Sequence, residues 1–340
     1  MSKVTVLMAV YNAAGYLRES LGSLLRQTLT DIQVVCVDDA STDSSLQILE
    51  GYAAKDRRVK VMHLTENHGQ AYARNRALTI ADGEFITMLD ADDWLAADAL
   101  EQAVAVFEAH PLTDCVLMDL KLTDRPGGDA EDYDWHYPEG KTRRHDDGSF
   151  EVMSGHDAFM ASLDWGIHGV TMDRAWLYRK YPYDDSCRFY SDDNTARIHF
   201  LASREVRCCK GRYYYRQVAG SVSHHVGVGR MDWMRAADSM RRQLRAMDMG
   251  DEVLDIWEWE RWKVIVGCYW FFFVHRRQFS ASDRRYCMGE IRKAWQGVDA
   301  RRLKGRPVWK PGWCPLPGHW LLFRLEETVY FSLRRLAGKW

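Results

Sequence analysis

At 340 residues the chain is long enough for one large core plus a further compact region, and too long for a small staple-dependent fold. With 46% hydrophobic and 28% charged residues it is neither disordered nor fibrous, and a net charge of −2 offers no global field to gather nucleic acid. The charge is unevenly spread: residues 1–110 hold 9 Lys/Arg against 16 Asp/Glu, a net of −7, whereas residues 241–340 hold 20 against 11, a net of +9, and 9 of the 14 tryptophans. The two ends are therefore expected to meet different partners.

The eight cysteines show no Cys-x-x-Cys pair and no histidine at zinc spacing, and read as reduced core side chains. Met1-Ser2-Lys3-Val4 runs directly into a strand pattern without a basic-then-apolar leader. The longest uncharged apolar run, residues 264–274, falls well short of the roughly 20 residues that a membrane-crossing helix takes. A cytoplasmic protein, at most peripheral to the inner face of a membrane, is the expectation.

In chain order, Val4 to Val10 is a continuous apolar run, the mark of a buried parallel strand. Leu17, Leu21, Leu24 and Leu25 then recur at helical spacing, with Asn12 available as a cap. Residues 32–37 predict a second strand ending in Asp38-Asp39, and Ala40-Ser41-Thr42-Asp43 opens a second helix. A third strand over 59–64, a helix over 69–81 and a fourth strand over 85–89 follow, the last ending in Asp90-Ala91-Asp92-Asp93. This alternation implies an α/β fold, a mostly parallel sheet flanked by helices, whose ligands bind outside the carboxyl ends of the strands. Both acidic clusters fall at such ends. Residues 123–149 have neither period and read as a long surface loop, Arg212 to Arg216 is strand-like, and the pattern from Met231 onward is helical. Residues 1–230 are expected to form the main domain, in halves 1–110 and 111–230, followed by a basic, Trp-rich helical region over 231–340.

Two carboxylates one residue apart on a tight turn, Asp90 and Asp92, can share a hard divalent cation with water and phosphate oxygens. The alternative is that Asp92-Asp93 only caps the following helix. Asp39 likewise has a plain reading as turn chemistry.

The blocks together narrow the choice. Val4 to Asn12, Val37-Asp38-Asp39-Ala40-Ser41-Thr42-Asp43, Ala73-Arg74-Asn75 before Ala81-Asp82-Gly83-Glu84-Phe85, and Leu89 to Asp93 resemble in order and spacing the family 2 glycosyltransferases over about the first 110 residues. The resemblance implies a GT-A fold, Rossmann-like, and inverting transfer of a sugar from a nucleotide-diphospho-sugar, UDP by default, with Mn²⁺ or Mg²⁺. It implies that Tyr11 lines the base, Asp39 accepts from the base imide, Arg74 holds the nucleotide, Asp90 lies near the ribose, and Asp92 with Asp93 faces the metal and diphosphate. Position 9 is Ala, where the family commonly has Pro or Thr, which removes one contact near the base.

In the second half, Tyr190-Ser191-Asp192-Asp193-Asn194 is similar to the family's acidic pair at a helix start, in Asp-Asp rather than the commoner Glu-Asp form. Adjacent helical residues point about 100° apart, so one carboxylate at most faces an acceptor; the alignment makes Asp193 the base and leaves Asp192 to orient neighbours. The resemblance also points to His224 or His225 as a further metal ligand, and to Trp165 and His168 as acceptor contacts. The acceptor would be a hydroxyl of a saccharide or a lipid-linked carrier, in cell-surface polysaccharide synthesis. Trp257, Trp259, Trp262, Trp270, the Phe271–Phe273 run and residues 320–323 mix with cations as interfacial helices do, so contact of 231–340 with an anionic membrane is expected, against plain packing of a helical appendage. A sugar-phosphate nucleotidyltransferase would need a Gly-rich phosphate loop and a Lys after the first strand, and neither is present. A non-catalytic nucleotide-sugar-binding protein of the same fold is the remaining alternative.

Overall fold

The computed structural model describes residues 1–132, 151–163, 167, 170–190, 192–217, 226–303 and 319–337. Strands β1 (Val4–Val10), β2 (Ile32–Asp38), β3 (Val59–His63) and β4 (Phe85–Met88) alternate with helices α1 (Leu17–Leu25), α2 (Ser45–Ala53) and α3 (Gln70–Leu78). Next come β5 (Trp94–Leu95), α4 (Ala99–Ala109), β6 (Thr113–Thr123), β7 (Ala130–Asp132), β8 (Met153–Ser154), α5 (Gly155–Ser162), β9 (Thr171–Arg174), α6 (Ala175–Lys180), α7 (Asp192–Ala202) and β10 (Glu205–Arg216). The C-terminal helices are α8 (Asp232–Ala246), α9 (Asp251–His275), α10 (Ala281–Gln296) and α11 (Trp320–Leu336).

The strands build a mixed sheet in the order β3-β2-β1-β4-β9-β6-β10-β5, with β7 on β6 and β8 on β10. The pairs β3–β2, β2–β1 and β1–β4 are parallel, with Val4 opposite both Ile32 and Phe85. Their carboxyl ends therefore share one edge of the sheet. Strand β9 runs antiparallel to β4 and β6, and β6 pairs in parallel with β10. The unbroken apolar runs of β1 and β2 are buried, as expected where helices cover both faces. At Gly211 a Cβ would stand 2.5 Å from the Ala99 carbonyl oxygen, so only glycine lets β10 lie this close to the start of α4.

The chain divides into two compact units, Met1–Asp185 with Thr195–Ser223, and Ser186–Asn194 with His224–Trp340. A single cut near residue 230 does not describe this division, because the segment with Asp192 and Asp193 joins the later unit. That unit has an aromatic core of its own, in which Trp262, Phe272, Phe273, Trp295, Phe323 and Phe331 are buried. This corrects the expectation that the aromatic clusters form a membrane-facing surface: Trp257 and Trp262 are buried, and Trp259, Trp270, Phe271 and Trp320 pack against the same core. Two local expectations also change. Asn12 does not cap α1, whose N-cap is Tyr16; its side-chain oxygen instead accepts from the Thr42 amide at 2.7 Å. Within the expected loop over 123–149, Ala130–Asp132 pairs antiparallel with β6. The seven cysteines among the described residues are free and buried, and no described helix is long and apolar enough to cross a membrane.

Candidate functional site

The site grows from the shared carboxyl edge of β1, β2 and β4. Tyr11 follows β1 directly and is exposed, with Asn12 in the left-handed region at φ 51°. Side chains alternate along a strand, so Asp38 and Asp39 point apart. Asp38 turns to His63, whose Nδ1 lies 2.9 Å from Oδ2. Asp39 is buried, and its two oxygens accept from the backbone amides of His68 at 2.8 Å and Gly69 at 2.7 Å. Gly69 caps α3 at φ 93°, a conformation suited to glycine, so Asp39 holds the amide end of α3.

One turn into that helix, the buried Arg74 reaches back to the edge: its Nη2 donates to Asp90 at 2.5 Å and to Gln70 at 3.2 Å. Its neighbour Asn75 clamps the backbone of Tyr183, donating to the carbonyl at 2.8 Å and accepting from the amide at 2.9 Å. Asp39, α3, Arg74 and Asp90 thus form one continuous linkage along the sheet edge.

The acidic turn after β4 is held from several sides. The Ser20 hydroxyl lies 2.8 Å from the Ala91 carbonyl oxygen and 2.6 Å from that of Asp93. Asp93 is buried and turns inward: Oδ2 accepts from the Tyr213 hydroxyl at 2.6 Å, and Oδ1 from the Arg216 amide at 2.7 Å. The Tyr213 oxygen also accepts from the Asp90 amide at 3.2 Å. Arg216 donates through Nε to the Asp92 carbonyl at 2.7 Å, pairs with Glu19, and lies over the Trp94 ring at 4.6 Å. Asp93, expected beside Asp92 as a metal ligand, is therefore a strut that fixes the turn to β10. Tyr213 and Arg216 were not expected in this role; the alternating Arg212 to Arg216 pattern signals a strand and nothing about its partners.

Burial, followed by repulsion from Asp90, raises the pKa of Asp92. Burial, then Asp90 and Asp92, pushes Asp93 up to about 8. Crowded carboxylates that resist ionisation suit a cation, and hard oxygen donors select Mg²⁺ or Mn²⁺ over softer metals. Among the described residues no group of three or more His, Cys, Asp or Glu side chains is arranged around a metal position, so Asp92 would need ligand oxygens and water to complete a shell. His224, His225, Trp165 and His168 lie outside the described residues.

In the later unit, Asp192 and Asp193 open α7 and are half-buried. Tyr190 before them is left-handed at φ 67° and stacks on Trp233 at 5.8 Å. Arg230 lies 4.6 Å over Trp233 and donates to the Tyr190 hydroxyl at 3.2 Å, while Asn194 donates to the Ala236 carbonyl at 2.8 Å. The approach to the acidic pair is thus built by aromatic and amide contacts of its own unit. Arg230 is a brace within that unit.

A parallel half-sheet with a clamped acidic turn at its carboxyl edge is the arrangement of a GT-A fold. The family described as Glycosyl transferase family 2 matches residues 5–183, more than half of the chain, and the chain belongs to that family. The putative glycosyltransferase EpsH of Bacillus subtilis is 40% identical over 131 residues, 38% of this chain and 37% of that protein. The poly(ribitol-phosphate) beta-N-acetylglucosaminyltransferase TarS of Staphylococcus aureus is 40% identical over 124 residues, 36% of this chain and 21% of that protein. The matches span well under half the length of these two relatives. The crystal structure of TarS residues 1–349 with UDP-GlcNAc superimposes with a TM-score of 0.68 at 20% identity, covering 99% of this chain and 93% of that one. The mannosyltransferase PcManGT of Pyrobaculum calidifontis, in complex with GDP-Man and Mn²⁺, gives 0.50 at 17% identity, covering 100% and 88%. At these identities the structural likeness is one of fold.

Proposed function

We propose that the protein transfers a sugar with inversion from a UDP-sugar to a hydroxyl of a saccharide or lipid-linked acceptor, in the assembly of a cell-surface polysaccharide. The observation that carries this reading is the linkage along one sheet edge from Asp39 through α3 and Arg74 to Asp90, ending at the clamped turn with Asp92. Tyr11, exposed at the same edge, offers a ring to the base. Asp39 would meet the base imide with lone pairs that the α3 amides leave over, and Arg74 and Asp90 would set the nucleotide's position. TarS, solved with UDP-GlcNAc, and PcManGT, solved with GDP-Man and Mn²⁺, support a nucleotide-sugar donor, and TarS, named for a poly(ribitol-phosphate) substrate, supports a polymeric acceptor.

Asp92 would hold the divalent cation, which supplies charge neutralisation on the departing diphosphate when bound. Asp193 takes the proton of the acceptor hydroxyl as that oxygen bonds to the anomeric carbon. The bond from the anomeric carbon to the diphosphate oxygen breaks on the opposite face, and the nucleoside diphosphate leaves with the electron pair. One base and one leaving group on opposite faces give inversion. Asp192, about 100° away around the helix, orients the base rather than sharing its task.

The test is Asp193→Asn in the full chain. The variant should keep the thermal shift caused by UDP-sugar with Mn²⁺ and lose transfer by at least about 100-fold, the range of a general base. Turnover near normal would move the base elsewhere. A larger shift with GDP- or dTDP-sugars than with UDP-sugars would correct the nucleotide alone.

A further inference from the structure

Helix α11 is inverted relative to an ordinary surface helix. Its inward side is narrow, with Phe323, Glu327 and Phe331 buried one turn apart, and among the described residues neither carboxylate oxygen of Glu327 has a hydrogen-bond partner. Its outward side carries Leu321, Leu322, Leu325, Val329, Leu333 and Leu336, each between 53% and 84% exposed. At 3.6 residues per turn these six side chains fall within an arc of about 120°, centred opposite Glu327. Exposed Arg324 and Arg335 border the arc on one side. These exposed aliphatic side chains, with Ser332 among them, form the kind of patch that marks an interaction surface.

Three features decide what covers it. The arc is broader than the a/d seam that joins two helices in a coiled coil. One face of a 17-residue helix offers a second copy less than the ~800 Å² per partner of a standard protein interface. The charge is mainly cationic: Arg324 and Arg335 line one border, Glu326 alone lies on the other, and residues 241–340 carry 20 Lys/Arg against 11 Asp/Glu. A broad aliphatic face with a cationic border matches an anionic bilayer, where leucines enter the acyl boundary and arginines meet headgroups.

We infer that α11 is a membrane-docking helix that seats Leu321, Leu325, Val329 and their neighbours in the surface of an anionic bilayer, with Arg324 and Arg335 against the lipid phosphates. The inference does not depend on the transfer chemistry. It also moves the membrane contact away from the tryptophans, which form the core beneath, to the aliphatic side of one helix.

The experiment is flotation of the full chain with vesicles of phosphatidylcholine alone or with roughly 30% phosphatidylglycerol, a density of anionic lipid sufficient for electrostatic attraction. The wild-type chain should float with the anionic vesicles. Leu325→Glu/Val329→Glu should lower binding by about tenfold or more, since it places charge at the centre of the inserted face. The milder Leu325→Ser/Val329→Ser should lower it too, and both should keep the wild-type thermal unfolding midpoint, because the positions are exposed. Arg324→Gln/Arg335→Gln should reduce the preference for anionic over neutral vesicles. Equal flotation of wild type and both double leucine–valine variants would overturn the inference. So would failure of the wild type to bind either vesicle, or a concentration-dependent dimer that the variants abolish without any lipid binding. None of these outcomes bears on donor binding or transfer, so a failure here leaves the sugar-transfer reading standing.

Discussion

Asp93 shows how one side chain turns a short acidic motif into a rigid platform. Its carboxylate joins a turn after the fourth strand to a tyrosine and an arginine near the end of β10. Tyr213→Phe keeps the ring but leaves Oδ2 of a buried carboxylate without its donor, which should cost about 1–3 kcal/mol in denaturant unfolding. Because Tyr213 also accepts from the Asp90 amide, the same variant should weaken Mn²⁺-dependent donor binding, read by titration. Unchanged stability and unchanged metal dependence together would show that the strut is dispensable. The contrast in legibility is physical. Asp39, Asp90 and Asp92 could be found because they fall one, two and four residues beyond the ends of β2 and β4, a local signal. Tyr213 and Arg216 could not, because their partners lie 120 and 123 residues away and no periodicity encodes such a pairing.

Among the elements, α11 should respond in its stability to pH in the neutral range. Burial, with a smaller contribution from Glu326, pushes Glu327 from 4.5 up to about 8. Tyr269, on the facing α9, feels the same carboxylate and is itself raised, chiefly by burial. An acid whose folded pKa is raised favours the folded state when protonated. Its contribution is complete below about pH 4.5 and is lost as the pH climbs through about 8. Glu327→Gln should therefore be more stable than wild type at pH 9, by a few kcal/mol, and close to it at pH 4, measured by urea unfolding. A variant whose pH profile parallels the wild type would place the titration elsewhere. Most elements were readable: the apolar runs of β1 and β2 and the leucine spacing of α1 are strong periodic signals. The misreading of the aromatic clusters has a clear cause, since Trp and Phe serve both protein cores and bilayer interfaces, and spacing does not distinguish the two.

At the scale of the whole molecule, the acidic first third and the basic last third belong to different compact units, and composition alone showed that the two ends differ. Composition could not show that nine residues from the middle of the chain join the later unit. Those residues include Phe189, against which Gly229 packs, Tyr190 with its Trp233 and Arg230 neighbours, and Asn194 with its bond to Ala236. A chain ending at residue 230 should accordingly show fast amide hydrogen exchange over 186–194 while β1, β2 and β4 stay protected. Equal protection in both chains would mean that the segment is held by other contacts. A practical corollary concerns recombination between relatives. Grafting a foreign C-terminal half at one crossover would leave the acidic pair facing mismatched supports, whereas a graft that also carries residues 186–194 would exchange a self-consistent module. The acidic pair would be inherited together with the tail that braces it, so a lineage that changes its C-terminal region must also rebuild the setting of its candidate base.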